Sequence, residues 1–86
     1  MKIEFHRTFT KQYRKIPASI REKCDARLRL FEIEPSHPLL DNHALHGDRL
    51  GQWSINITGD WRALYEFLDE HSIVFVEIDT HSNLYR

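Results

Sequence analysis

The sequence predicts an α+β fold of order β-α-α-β-β-β, a mainly antiparallel sheet with a helical hairpin packed on one face. Apolar residues recur at helical spacing between Arg7 and Ile33, on two stretches divided by Pro17. Beyond Gly51 they alternate with a period of two, in runs divided by Gly59-Asp60 and by Asp69-Glu70-His71-Ser72.

The elements follow in order. KIEF (2–5) alternates, with Ile3 and Phe5 on one side, and reads as an opening strand. Phe9, Tyr13 and Ile16 fall on one face of a helix from Arg7 to Ile16, and Arg7, Lys11, Arg14 and Lys15 make a basic stripe on it. Pro17 ends that helix, since proline lacks an N–H and restricts the residue before it. Ile20, Cys24, Leu28 and Phe31 mark one face of a second helix from about Ser19 to Ile33, with Ser19 and Glu22 spaced as a capping box. Leu39 to Gly51 has no period and is expected to be a loop. In GQWSINIT, Trp53, Ile55 and Ile57 share a face; in WRALYEFL, Trp61, Ala63, Tyr65 and Phe67 do, with Arg62, Leu64 and Glu66 opposite. In IVFVEID the cleaner apolar face is Val74, Val76 and Ile78, and THSNLYR has no internal pattern. The three consecutive strands form a meander, and the face away from the helices is left partly open.

At 86 residues the chain is expected to be one domain, 1–86. Cys24 is the only cysteine, which excludes an intrachain disulfide and fits a reducing compartment. With no signal-like or membrane-spanning apolar run, the expectation is a soluble cytoplasmic protein with no membrane partner. The net charge of −1 argues against indiscriminate nucleic-acid binding, but its distribution is uneven. Through residue 31 nine basic residues face three acidic ones; beyond it, Arg49, Arg62 and Arg86 face ten.

Of the six histidines, His43 and His46, with His81, are the ones to weigh as metal ligands. They lack a carboxylate or cysteine at familiar ligand spacing, so no metal is expected. Arg62 begins a strand whose other face is apolar, so its guanidinium emerges on the uncovered face. There it is either a surface ion pair with Asp60 or Glu66 or a clamp for an anion, which its donor fork matches. His81 and Tyr85 gain interest only if the final segment folds back over that face.

Taken together, His-x-Leu-x-Gly (43–47), Gly-x-Trp before a strand (51–53), Gly-Asp-Trp-Arg-x-x-Tyr (59–65) and Thr-His-Ser-x-Leu-Tyr (80–85) form an ordered set. With the β-α-α-β-β-β order, the chain resembles the RelE/ParE superfamily of small bacterial toxins, and within it the YafQ-like mRNA interferases. The resemblance implies a type II toxin neutralised by a cognate antitoxin, cutting mRNA on the ribosome without metal or cofactor. It implies His43 as general base, His81 as general acid, Arg62 on the scissile phosphate, and Tyr85 stacking on or orienting a base. Asp60 and Trp61 match the family's Asp-Trp pair, Asp60 among the catalytic residues and Trp61 with the substrate, together with the basic Lys11, Arg14 and Lys15. The chain departs from the pattern at Asn56, where such members carry histidine, and at Glu77, where they carry arginine. The alternatives are a non-enzymatic ParE-like toxin that inhibits DNA gyrase, and a decayed toxin fold that retains only its binding surfaces.

Overall fold

Local chemistry sets where each element begins and ends in the computed structural model, which describes residues 1–85. Strand β1 (Lys2–Phe5) leads into helix α1 (Arg7–Lys15), whose first turn is capped by His6: its Nδ1 accepts from the Thr8 N–H at 3.0 Å. Pro17 holds Ile16 in an extended conformation and ends the helix, as expected. Helix α2 (Ala18–Ile33) starts immediately after Pro17, so Ser19 lies inside its first turn, no side chain caps it, and the expected capping box does not form.

The sheet has five strands rather than four. Its order is β1-β5-β4-β3-β2, with β2 at His43–Ala44, β3 at Gln52–Asn56, β4 at Trp61–Asp69 and β5 at Ser72–Thr80. The last four are antiparallel neighbours, and β1 lies parallel to β5 at the far edge. Thus the segment expected to be a loop contributes a short edge strand and two 3-10 turns, Pro38–Leu40 and Gly47–Arg49. The final segment forms helix α3 (His81–Leu84).

Strand β5 also departs from the expected alternation. Ile73, Phe75 and Ile78 face the helices, not Val74, Val76 and Ile78. A bulge is the cause: Glu77 pairs with Leu64 and Phe75 with Tyr65, which leaves Val76 unmatched. The extra residue returns Ile78 to the helix side and sends both Val76 and Glu77 to the open face, where they meet Leu64 and Arg49 respectively.

The main core lies between the sheet and α1–α2. Phe75 is its centre, with ring centroids of Phe5, Phe9, Phe31 and Tyr65 all within 5.4–5.9 Å. The Tyr13 hydroxyl donates to Asp25 Oδ1 at 2.7 Å and ties α1 to α2. A smaller apolar cluster of Leu45, Leu64 and Leu84, joined by Val76, sits on the opposite face and seats α3 on the sheet. Among the described residues no helix is long and apolar enough to cross a membrane.

Candidate active site

The site is assembled from both ends of the open face. At one end the chain leaves the Pro38–Leu40 turn through Asp41, whose φ of 44° lies in the left-handed region that Asp tolerates better than most residues. Asn42 fixes this corner: its Nδ2 donates to the Pro35 carbonyl at 3.1 Å, and its Oδ1 accepts from the Tyr65 hydroxyl at 2.9 Å. His43 follows on β2, opposite Ser54 of β3, with Nδ1 2.6 Å from the Asp41 carbonyl oxygen. A carbonyl only accepts, so the neutral ring carries its proton on Nδ1 and leaves the Nε2 lone pair free to take one.

At the other end, α3 is tied to the β3–β4 hairpin. The His81 N–H donates to the Asp60 carbonyl at 2.8 Å, and Thr80 Oγ1 caps the helix by accepting from the Asn83 N–H at 3.3 Å. The Asn83 amide donates to Asp79 Oδ1 at 2.9 Å. Leu84 is buried against Leu64, and the rings of His81 and Tyr85 lie 4.7 Å apart.

Arg62 stands between these ends, paired across the sheet with Asn56 and Asp79. Its Nη1 donates to the carbonyls of Thr58, Gly59 and Trp61 at 2.9, 3.2 and 3.1 Å. Among the described residues no carboxylate comes within 4.0 Å of it, so neither Asp60 nor Glu66 is its ion-pair partner. The turn carbonyls pin the guanidinium by one nitrogen and leave the rest of its donor fork uncommitted.

His43, Arg62, His81 and Tyr85 therefore line one cleft of about 350 Å³, with Asp41, Leu45 and Ser54. Ser54 is fully buried on its floor, and its Oγ has no partner among the described residues, nor does Oδ1 of Asn56, two residues along the same strand. Glu77 is charge-balanced by Arg49, Nη1 to Oε2 2.9 Å.

The other expected residues lie elsewhere. Trp61 and Arg62 are adjacent on β4 and so point to opposite faces; Trp61 packs against the main core on the helix side, where it lines a hollow with Lys15, Ile16, Pro17 and Ile78. Lys11, Arg14 and Lys15 lie on α1, which covers the face opposite the cleft. Asp60 is exposed in the hairpin turn and contributes its backbone carbonyl, not its carboxylate. Cys24 is fully buried, and burial pushes its thiol up to about 12, far from a nucleophile's range. Sequence reasoning passed over Arg49, although it is one of only three basic residues beyond residue 31, and over Ser54, which looked like an ordinary strand polar residue.

A helix-covered mixed sheet with an arginine- and histidine-bearing cleft on its open face is the frame of a small toxin domain of the RelE/ParE kind. The family model described as ParE toxin of type II toxin-antitoxin system, parDE, matches residues 3–85, and the chain belongs to that family. It is 27% identical over 71 residues to Endoribonuclease HigB of Proteus vulgaris, 77% of either chain. Its fold matches the YoeB/ParE toxin from Agrobacterium tumefaciens with a TM-score of 0.75, at 24% identity over 94% of this chain and 99% of that one. It matches the E. coli DinJ-YafQ toxin-antitoxin complex with a TM-score of 0.72, at 23% identity over 99% and 97%.

Proposed function

We propose that this toxin is an endoribonuclease that cleaves mRNA on the ribosome, with the cleft as its active site. The observation that carries this reading is that His43, Arg62, His81 and Tyr85 line one cleft. The Asp41 carbonyl leaves His43 with a free Nε2, the atom a general base needs. Likeness to an endoribonuclease supports the same reading.

In the reaction, His43 Nε2 takes the ribose 2′-OH proton as that oxygen attacks the adjacent phosphorus. Arg62 stabilises the negative charge that builds on the phosphoryl oxygens. The bond from phosphorus to the 5′ oxygen breaks, and the departing oxygen takes a proton from the His81 imidazolium. The products are a 2′,3′-cyclic phosphate and a 5′-hydroxyl end. Tyr85, partly exposed beside His81, offers its ring to a neighbouring base. Ser54, on the cleft floor, holds a buried hydroxyl oxygen with no partner among the described residues. A cognate antitoxin is the expected protein partner, by analogy with the DinJ-YafQ complex.

The test is mRNA cleavage on translating ribosomes, mapped by primer extension, for wild type, Arg62→Ala and His81→Ala. Codon-phased cuts that disappear in both variants are expected. Asn56 in place of a histidine, together with the ParE family match, favours a second reading, a toxin that acts by binding DNA gyrase. Folded protein that makes no cuts but blocks gyrase supercoiling would establish that reading instead.

A further inference from the structure

Helix α3 carries His81 and supports Tyr85, yet it is only four residues long. A helix of one turn does not persist on its own, because nucleation fixes several dihedrals for a single hydrogen bond. Something must hold its last carbonyls, which lack intrahelical partners. That group is Arg49. Its Nε and Nη2 donate as a fork to the Leu84 carbonyl at 3.1 and 2.8 Å, and the Tyr85 ring lies 5.8 Å from its Cζ.

The remaining nitrogen anchors Arg49 to the sheet. Nη1 donates to Gln52 Oε1 and to Glu77 Oε2, each at 2.9 Å, and the Gln52 amide donates on to Glu66 Oε2 at 2.9 Å. Glu77 reaches this position because the bulge at Val76 turns it outward. The side chains of Arg49 and Glu77 are 26% and 29% exposed, so water screens the pair only in part. All three guanidinium nitrogens are thus engaged by protein acceptors, whereas Arg62 commits only one.

We propose that Arg49 is a positioning residue: it clamps the end of α3 to the sheet, with Glu77 as its fixed counter-charge, and so holds His81 and Tyr85 in the cleft with His43 and Arg62. This rests on the reading of the cleft as a nuclease site for its catalytic consequence, but not for the clamp itself. Lysine cannot replace the fork, since a single ammonium cannot span the Leu84 carbonyl and Glu77 in the same geometry.

The experiment compares full-length wild type, Arg49→Ala, Arg49→Lys and Glu77→Gln by nuclear magnetic resonance and by ribosomal mRNA cleavage. In Arg49→Ala, amide-exchange protection at Tyr85 and His81 is expected to fall and the ring resonances of both to approach those of a flexible peptide. Ile55 and Phe75 in the core should be unchanged. Cleavage should fall about 100-fold, in turnover rather than in RNA affinity, as expected for a misplaced reacting group. Glu77→Gln, which keeps an acceptor oxygen, should lie between wild type and Arg49→Lys. Unchanged resonances and protection at 81–85 in Arg49→Ala would overturn the proposal, as would cleavage at the wild-type rate. Loss of α3 order in Arg49→Ala beside a wild type that makes no cuts would uphold the clamp and overturn the nuclease reading. Should Arg49→Ala not fold, Arg49→Lys and Glu77→Gln carry the same comparison.

Discussion

At the scale of single residues, the contact between His43 Nδ1 and the Asp41 carbonyl assigns the ring's tautomer, and the assignment has a cost in backbone geometry. Asp41 is the only non-glycine with positive φ among the described residues, and that conformation carries the chain around the corner into β2. His43→Ala is expected to lower cleavage by roughly 100- to 10,000-fold, the usual contribution of a positioned general base. Its side chain is 49% exposed, so the midpoint of urea unfolding should not move; a shift in that midpoint would mean the loss of cleavage reports folding instead. Arg62 makes a related point. The sequence left it between an ion pair and an anion clamp, and strand alternation decided only its face. What decides its partners is the tightness of the β3–β4 turn, which gathers three carbonyls around one nitrogen.

At the scale of elements, Tyr13 and Asp25 join α1 to α2 and leave a titratable signature. The hydrogen bond to Asp25, then burial, pushes the Tyr13 hydroxyl up to about 12. A phenol whose pKa is raised by folding stabilises the fold fully below its ordinary value of 10.0, and that contribution disappears as pH rises through about 12. Asp25→Ala should bring the Tyr13 transition down toward 10.0 in an ultraviolet titration of tyrosinate, and an unmoved transition would refute the assignment. The helices and the strands β3 and β4 were legible because each repeats its period several times. Strand β2 was not, because two residues cannot display an alternation. In β5 the alternation misled: the bulge at Val76 shifts the phase, and one sequence cannot reveal a bulge that depends on the partner strand. Helix α3 was hidden for a different reason. Its order comes from the Asp60 carbonyl, the Thr80 cap and the Arg49 fork, two of them supplied from distant parts of the chain.

At the scale of the molecule, the fold depends on one aromatic centre. Phe75→Ala removes the ring shared by Phe5, Phe9, Phe31 and Tyr65 and should cost about 3–5 kcal/mol, measurable as a lowered urea midpoint. That is a large part of the roughly 5–15 kcal/mol that holds an ordinary domain together. A loss below about 1 kcal/mol would show that the surrounding rings collapse to fill the space. The candidate cleft was legible as a set of residue types, but not its support: Arg49, Asp41 and Ser54 matter through where the chain turns rather than through any spacing.

The pairing of β1 with β5 bears on how the protein is made. Lys2 finds its partner only at Ser72, so β1 cannot pair until the chain has been made at least that far. His81 and Tyr85 come later still, after β5. A growing chain therefore emerges from the ribosome with its first strand unpaired and its cleft unbuilt. Pairing of β1 and placement of His81 and Tyr85 both wait for β5, so the sheet closes and the cleft forms in the same step.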